Sequence, residues 1–464
     1  MTTTTPARAT LIAASLAASS AQTIVVAALP GFQRETGAPL SAVAWLLTTF
    51  MLASAVATPI AGRLGDLYGH RRVLIASLGL LIAGTVLAAV AAQAGSLPWL
   101  LAGRAVQGAS GGVLPLTFGL ARHLVPPERQ RGTIALLSAM MGLGGAAGMV
   151  IAGPLADLLG TPSLLWVGLQ LAVPAAVGAI RLPETPSAAV SGVDLPGAAL
   201  LCGTLVGLLL VISQGAAWGW TSAAVLGLGA ATLALATGFV WVQLRTPVPL
   251  VDLRLLRTRA MAVTNLTALV VGAAMFSSVA LFPQFVQAPV STGYGLGGSA
   301  TTTGLVILPV ALGMLAGGPL AGRLAARFGA AVPLRAGAAC AAVTFAVLAL
   351  RPPPLWEFYP AGLLLGIGYG LAFASMGLLV VAAAPADQTG VATGVNTIAR
   401  TVGGAAGAQV ASAILAATAI AHVPTLRGFT IAFWTFAVIA AVAVVTAALI
   451  PAPAVREGEP VGRR

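Results

Sequence analysis

The chain has 464 residues, of which 58% are hydrophobic and only 7% are charged. A soluble domain carries about a quarter charged residues, so this composition cannot supply a water-exposed surface. The formal net charge of +12 comes from 23 basic residues, all of them arginine, against 11 acidic ones. These proportions exclude an ordinary soluble protein and predict an integral membrane protein whose main solvent is lipid.

The arginines lie in short gaps between apolar runs, where they orient membrane helices rather than bind nucleic acid. Cys202 and Cys340 each lie alone inside an apolar run, so the sequence indicates neither a disulfide framework nor a metal or redox motif. The run that begins near Arg8 extends to Pro30, contains Gln22, and is followed by many similar runs. We therefore interpret it as a retained first span rather than a cleaved secretory signal.

The apolar runs are long and do not alternate, which favours helices over strands. A crossing needs about 20 apolar residues, and lipid offers no partner for an unpaired backbone amide. Fourteen such runs predict an all-α integral membrane protein with 14 transmembrane helices. The predicted spans are residues 9–29, 41–61, 73–93, 97–119, 133–155, 163–181, 195–215, 221–243, 262–284, 301–321, 333–350, 358–381, 390–416 and 429–450.

Fourteen crossings place both termini on one side of the membrane. Eighteen arginines fall on that side and three on the other, while Arg104 and Arg400 fall within predicted spans. Because cytoplasmic loops carry an excess of arginine, both termini are predicted to be cytoplasmic. The longest gaps, 182–194, 244–261 and 285–300, leave room for loops or surface helices only.

The sequence contains an internal repeat. The run 62–69 begins Gly-Arg-Leu and ends in glycine, and 322–329 does the same at an offset of 260. The glycine-rich run 144–148 recurs as 403–407 at an offset of 259. Such an offset spans about eight helices, which indicates two similar bundles separated by extra helices.

We therefore predict two pseudo-symmetric six-helix bundles, residues 1–184 and 249–464, with two inserted helices in 185–248. Parallel repeats of this kind build transporters whose substrate cavity lies between the halves, near the bilayer midplane.

Several motifs carry a family resemblance. Residues 62–72, Gly-Arg-Leu-Gly-Asp-Leu-Tyr-Gly-His-Arg-Arg, resemble the loop 2–3 signature of the major facilitator superfamily. Residues 104–108 resemble its Arg-x-x-Gln-Gly motif, and Gly153 with Pro154 resembles the end of its antiporter motif. With fourteen spans and a Thr-Ile-Val run at 23–25, the chain resembles the fourteen-helix drug:proton antiporter branch.

The loop at 62–72 has a physical logic of its own. Gly62 and Gly69 give the backbone freedom for a tight turn. Asp66 can face a helix N-terminus in the other half, where the helix dipole favours an anion, and so latch one conformational state. The alternative is a solvated turn whose arginines, Arg72 among them, only set the topology.

Two arginines fall inside predicted spans. A buried guanidinium is costly unless it faces partners or water, so Arg104 is expected to point into the central cavity. The resemblance implies a role for it in proton coupling and cavity integrity; alternatively it is structural and satisfied by carbonyls and Gln107. Arg400 would make the cavity electropositive and favour neutral or anionic substrates, or it pairs with Asp66 across the bundle interface.

Span 5 ends in Gly153 and Pro154. The family resemblance implies that these two residues form a hinge that favours export; the alternative is that they only allow close packing of small residues. Two departures from the family pattern bear on coupling. Ala21 stands where the first span usually has an acid, and Asp157 with the next residue replaces a glycine pair. Asp157 is either a titratable coupling site or a solvated helix-end carboxylate, and Asp66 is the other acidic candidate.

A set of polar side chains is expected to contact a bound compound, and a set of apolar ones to form an adaptable wall. For each residue taken alone, lipid-facing or core packing is the alternative. The polar set is Gln22, Gln107, Asn265, Gln284, Gln287 and Asn396, and the apolar set is Met140, Met141, Met275, Phe276, Phe282, Phe285, Tyr369 and Phe373.

We expect a non-enzymatic secondary exporter in a bacterial cytoplasmic membrane that moves lipophilic drugs or antibiotics by alternating access, in exchange for protons. The proton gradient is the expected energy source; no cofactor or metal is expected, and the protein is expected to be a monomer in the lipid bilayer. The alternative is a proton-coupled metabolite transporter with a narrow range of neutral or anionic substrates. His70, His123 and His422 are scattered in predicted loops, which disfavours a membrane-embedded enzyme. A channel is disfavoured by the repeat and by the lack of charged rings.

Overall fold

The computed structural model describes residues 4–25, 29–38, 40–43, 45–185, 194–247, 249–351, 353–385, 388–420 and 423–450. Within these ranges the chain is helical, and its strand-type pairing is one isolated bridge between Ile420 and Val423. The helices are α1 (Thr4–Thr23), α2 (Leu29–Thr36), α3 (Leu40–Val43), α4 (Trp45–Tyr68), α5 (His70–Gln93), α6 (Leu97–Gly108), α7 (Val113–Leu124), α8 (Pro127–Leu159), α9 (Ser163–Ile180), α10 (Leu195–Trp218), α11 (Ala223–Arg245), α12 (Leu253–Leu256), α13 (Arg259–Gln287), α14 (Ala300–Phe328), α15 (Ala331–Leu350), α16 (Phe358–Ala383), α17 (Thr389–Ala417) and α18 (Leu426–Ala448).

Eleven helices in the described ranges are long and apolar enough to cross a membrane. They are α4, α5, α8, α9, α10, α11, α13, α14, α15, α16 and α18. The three remaining predicted spans correspond to α1, to α6 with α7, and to α17, which carry more hydroxyl, amide and guanidinium groups. Length and apolarity alone therefore support eleven of the fourteen predicted spans.

The structure corrects two of the predicted spans. The span predicted at 97–119 is broken by a turn at 109–112 that separates α6 from α7, where Ser110 Oγ donates to the Gln107 carbonyl at 2.7 Å. The helix predicted to end at 61 runs on to Tyr68. Gly62 and Asp66 are consequently helical, and Gly69 alone makes the turn.

The repeat appears in the backbone as well as in the sequence. Gly69 has φ 96° and ψ 132°, and Gly329 has φ 83° and ψ 155°. Residues with a Cβ rarely adopt a positive φ, so glycine is required at both turns. The two repeats therefore make the same bend between consecutive helices.

Two large apolar cores lie in different parts of the chain. One is built from residues of α13 to α18 and is rich in aromatic rings. The ring centroid of Phe285 lies 5.4 Å from that of Phe358 and 5.1 Å from that of Phe429. The other is rich in alanine and leucine and is built mainly from α1, α4, α5, α7, α8 and α9. α14 and α16 also pack into this second core, which joins the two parts.

The glycine runs explain how closely some helices approach. Gly144 of α8 packs on Ser19 of α1, and the Thr23 hydroxyl donates to the Gly145 carbonyl at 2.7 Å. Gly403 of α17 leaves no room for a Cβ against the backbone of Leu269 in α13. In each repeat the glycine run therefore packs on the first helix of its own half.

Candidate functional site

A cavity of about 420 Å³ lies where both repeats meet. Its amide groups include Gln22 of α1 and Gln409 of α17. Its apolar wall includes Met275, Phe276, Phe282 and Tyr369. The described residues that line it include no Asp, Glu, Arg or His, so the cavity suits an uncharged or weakly polar molecule.

A second, narrow recess of about 50 Å³ lies beside the cavity, along the seam between α4 and α17. It shares Gln22 and Met51 with the cavity, and its other lining residues are mostly hydroxyl-bearing. Thr58 lines its α4 side, eight residues or about 12 Å along the helix from Asp66. The hydroxyl groups are Ser15, Ser19, Ser54, Thr58, Ser110, Thr397 and Thr401.

Arg104 is fully buried between α1, α4 and α6. Its Nε donates to the Leu46 carbonyl at 3.1 Å, and one Nη donates to the Ala21 carbonyl at 2.8 Å and to the Gln107 side-chain oxygen. The guanidinium carbon lies 4.4 Å from the centroid of the Phe50 ring. The expectation that Arg104 points into the cavity is therefore wrong: oxygen acceptors among the N-terminal helices bind its Nε and one Nη, and an aromatic face covers the guanidinium. The second Nη is buried without a hydrogen-bond partner in the described part of the chain.

Arg400 is buried on α17, with its guanidinium carbon 4.6 Å from the centroid of the Phe373 ring. It lies ten residues, about 15 Å, along the helix from Gly390, which Asp66 approaches. The expected Arg400–Asp66 pair is therefore wrong. Neither Arg400 nor Arg104 lines the described cavity, so the expected electropositive character is not found there.

Asp66 lies buried in the last turn of α4. Its carboxylate faces the backbone N–H groups of Gly390 and Val391, in the first turn of α17. The two helices nearly touch here, because a Cβ built on Gly62 would lie 2.8 Å from the Gly390 carbonyl oxygen. An anion at a helix N-terminus is electrostatically favoured, and we call this arrangement the latch contact.

His70 completes the latch contact on the α5 side. Its Nε2 lies 3.1 Å from Asp66 Oδ1, and its Nδ1 lies 3.1 Å from the Thr185 hydroxyl. The ring of His123 lies 5.8 Å away, centroid to centroid. The sequence pattern places His70 in a loop and misses this pairing, although the spacing of four residues from Asp66 was the available signal.

Arg72 belongs to the same turn but is exposed. Its Nε lies 3.5 Å from a Glu184 carboxylate oxygen, and the Arg71 backbone amide donates to the other oxygen at 3.1 Å. The turn is thus tied to the segment that follows α9. Arg122 of α7, which the sequence reasoning also missed, crosses to the other half and donates to the Ala384 carbonyl at 3.2 Å.

The other predicted site residues divide into three groups. Gln22 lines both the cavity and the recess, whereas Gln107 is held by Arg104 and donates to the Thr85 hydroxyl at 2.8 Å. Asn265 accepts a hydrogen bond of 3.0 Å from Asn396 and does not line the described cavity. The remaining group is in α8 with its side chains outside the described part of the chain: Gly153, Pro154 and Asp157.

Eleven apolar helices, a sequence repeat with matching turns and a cavity shared by both repeats define a multi-pass helical membrane protein. Residues 11–408 match the sequence profile of the Major Facilitator Superfamily, which is most of the chain. The protein belongs to this superfamily.

Several curated relatives are similar over most of this chain. The tetracenomycin C resistance and export protein of Streptomyces glaucescens is 29% identical over 405 residues, covering 85% of this chain and 72% of that protein. A multidrug resistance protein B homolog of Mycobacterium tuberculosis (strain ATCC 25618 / H37Rv) is 30% identical over 403 residues, covering 85% and 73%. Against an uncharacterized transporter of the superfamily from the same strain, 31% identical over 402 residues, the alignment covers 84% of this chain but only 56% of that protein.

Solved structures share the fold at low sequence identity. The human organic anion transporter MFSD10 superposes with a TM-score of 0.67 at 17% identity, covering 96% of this chain and all of that one. The proton:xylose symporter XylE superposes with a TM-score of 0.64 at 13% identity, covering 96% of each chain. Both similarities concern the fold.

Proposed function

We propose that the protein is a secondary active exporter of hydrophobic small molecules that works by alternating access, in exchange for protons. The observation that carries the proposal is the cavity of about 420 Å³, which both repeats line and whose described lining is uncharged. The latch contact closes the seam between the repeats at one end. A site between repeats that is closed at one end fits a rocking transporter.

The proposed architecture has fourteen spans, with α1, the α6–α7 pair and α17 as the three beyond the eleven apolar helices. These three carry buried polar side chains such as Arg104 and Arg400, which lower their apolarity without facing lipid. We propose bundles at 1–184 and 249–464, inserted helices at 185–248, a monomer, and cytoplasmic termini set by the arginine distribution. The latch contact would then lie on the cytoplasmic side.

The names of similar proteins support the substrate class. One is named for tetracenomycin C resistance and export, another for multidrug resistance, and a third is the probable actinorhodin transporter of Streptomyces coelicolor, 30% identical over 406 residues. Export of a lipophilic compound agrees with a cavity whose wall is mainly apolar and includes aromatic and thioether side chains.

We place the proton-carrying group away from the substrate, because the described lining of the cavity holds no acid or histidine. Asp66 with His70 is one candidate, since both are buried and the hydroxyl-lined recess runs along the same seam. Asp157 is the other. In the Asp→Asn variant of the coupling residue, proton-driven transport is lost while exchange of labelled for unlabelled substrate persists.

The test is expression in a pump-deficient bacterial host with a susceptibility panel, followed by transport into inside-out vesicles. We expect increased resistance to several lipophilic compounds, and vesicle accumulation that collapses when an uncoupler removes the proton gradient. Asp66→Asn and Asp157→Asn are measured alongside. Unchanged resistance to every compound contradicts drug export, and proton-driven movement of one polar metabolite alone favours the narrow metabolite transporter.

A further inference from the structure

The inserted helix α10 packs into the seam between the two repeats. Leu205 and Leu209 of α10 are buried with Ala55 of α4, and Ile398 and Val402 of α17 pack against the same cluster. This is the seam along which the recess runs. α10 therefore forms part of the wall between the repeats rather than a separate peripheral layer.

Beyond this apolar contact α10 reaches the cavity, where it contributes Ser213 and Gln214. Gln409 of α17 donates from Nε2 to the Ser213 carbonyl at 3.3 Å, which fixes α10 against the second repeat. The Ser213 hydroxyl is buried and has no hydrogen-bond partner within the described part of the chain. A buried hydroxyl without a partner costs free energy, and rotation about χ1 of Ser213 would turn it toward the cavity, where a bound molecule can supply the missing hydrogen bond.

The rest of the cavity decides what kind of molecule fits. Gln22 and Gln409 offer further amide groups, whereas Met275, Phe276 and Phe282 offer polarizable and aromatic surface. Amides and hydroxyls bind carbonyl and hydroxyl oxygens without requiring charge, and aromatic walls favour flat rings. This combination favours an uncharged aromatic compound with oxygen substituents along one edge.

We propose that α10 determines substrate selection: Ser213 and Gln214 bind the oxygen-bearing edge of an uncharged aromatic substrate. The proposal rests on the proposed export function and adds to it a role for the inserted helices. In this proposal the aromatic rings of the substrate pack on the remaining wall of the cavity. Permanent cations are not preferred substrates, because no described lining residue offers a carboxylate.

The transport test compares Gln214→Leu with Gln284→Leu, which makes the same change on α13. Gln284 was expected from the sequence to contact the bound compound, but the structure places it at an exposed position outside the cavity. The probes are 1,8-dihydroxyanthraquinone and ethidium, measured in inside-out vesicles. Loss of one hydrogen bond is expected to raise the half-saturating anthraquinone concentration about fivefold in Gln214→Leu, with less than twofold change in Gln284→Leu. Ser213→Ala, a smaller change, is expected to act in the same direction.

A labelling test does not depend on transport. In a background where Cys202 and Cys340 are replaced by alanine, Gln214→Cys and Gln284→Cys are treated with a charged thiol reagent. At ten times its half-saturating concentration, 1,8-dihydroxyanthraquinone is expected to slow labelling at 214 about tenfold and to leave labelling at 284 unchanged.

The two tests separate the two proposals. If the anthraquinone protects residue 214 from labelling but neither probe is transported, the export function is contradicted and the binding site is supported. Transport of the anthraquinone with equal half-saturating concentrations in both leucine variants, and with unprotected labelling at 214, overturns the role of α10. Preference for ethidium overturns the assigned substrate class.

Discussion

The turns that end α4 and α14 share a backbone but differ in chemistry. Both bend at a glycine with positive φ, Gly69 and Gly329. Where the first turn carries Asp66 and His70, the repeat-related positions 326 and 330 carry alanine. Duplication has thus preserved the bend, which steric constraints demand, while the carboxylate and the imidazole occur in the first copy only.

The packing around the two turns differs in the same way. A Cβ on Gly62 would lie 2.8 Å from the Gly390 carbonyl oxygen, whereas one on Gly322 would remain 3.6 Å from Ala135 and 3.7 Å from Gly132. Beside Gly322 lies a groove of about 580 Å³ lined by Arg8, Glu128 and Arg323, among others. The α4–α17 seam is therefore sealed at this end and the α8–α14 seam is not. We infer that the first seam controls closure.

The largest effect is expected from adding a side-chain methyl group at Gly62, where α4 and α17 leave no room for one. Gly62→Ala inserts a methyl group against the backbone of α17, and overpacking of this kind costs about 1–3 kcal/mol. We expect the proposed export rate to fall by about tenfold or more, because the closed seam is disfavoured. Gly322→Ala is the matched control, and its rate is expected to stay within about twofold, since a Cβ there makes only ordinary contacts. Equal losses in both variants would show that the two seams bear equally on closure.

The next effect is expected from removing the charge of Asp66 while keeping its shape. Asp66→Asn weakens the interaction with the α17 N-terminus, worth up to about 2 kcal/mol at a partly buried site. If Asp66 acts through the latch contact alone, export is expected to fall about threefold to thirtyfold, whereas complete loss of proton-driven transport with substrate exchange intact would identify it as the coupling residue. The control is Glu128→Gln, an exposed acid in the first turn of α8, where less than a twofold change is expected. A Glu128→Gln loss as large as that of Asp66→Asn would contradict the asymmetry.

A smaller effect is expected at His70, which faces Asp66 on α4, His123 on α7 and Thr185. The imidazole joins the Asp66 carboxylate of α4 to the Thr185 hydroxyl, and so holds α5 against the latch contact. His70→Gln removes the contact with the carboxylate and is expected to change the proposed export rate about twofold to fivefold. The extent of cross-linking between cysteines placed across the seam tests this.

His123→Gln serves as the control because its ring lies near His70 but has no contact of its own with Asp66. If His123→Gln changes the rate and the cross-linking as much as His70→Gln does, the contact between His70 and Asp66 is not what stabilises the latch contact.

Much of the fold was predictable, because lipid leaves few choices to a chain of this composition. Eleven of the fourteen predicted spans, the repeat and the bend at Gly69 follow from apolar length and glycine spacing. The break between α6 and α7 and the extension of α4 to Tyr68 were missed. Both depend on which neighbour a glycine-rich surface packs against, which a single sequence does not state.

The site was less predictable for the same reason. Asp66 was expected at a helix N-terminus, and the structure places it beside Gly390. Arg104 was expected in the cavity because a buried cation needs partners, but carbonyls of Leu46 and Ala21 supply them from within one half. Backbone carbonyls carry no sequence signature, so a single sequence does not show where they can bind a buried arginine that would otherwise have to face a cavity.

The smallest effect is expected from moving the acid to the other repeat. Asp66→Asn combined with Ala326→Asp places a carboxylate at the repeat-related position, beside the groove that Arg8 and Arg323 line. Residue 326 is exposed, and an exposed ion pair contributes at most about 1 kcal/mol, so we expect no more than a twofold change relative to Asp66→Asn alone. Ala326→Asn in the same background separates the added volume from the added charge. Full recovery of export with Asp but not Asn would mean that one negative charge at this end suffices on either seam, and that the close approach of Gly62 to Gly390 is not what makes the first seam the controlling one.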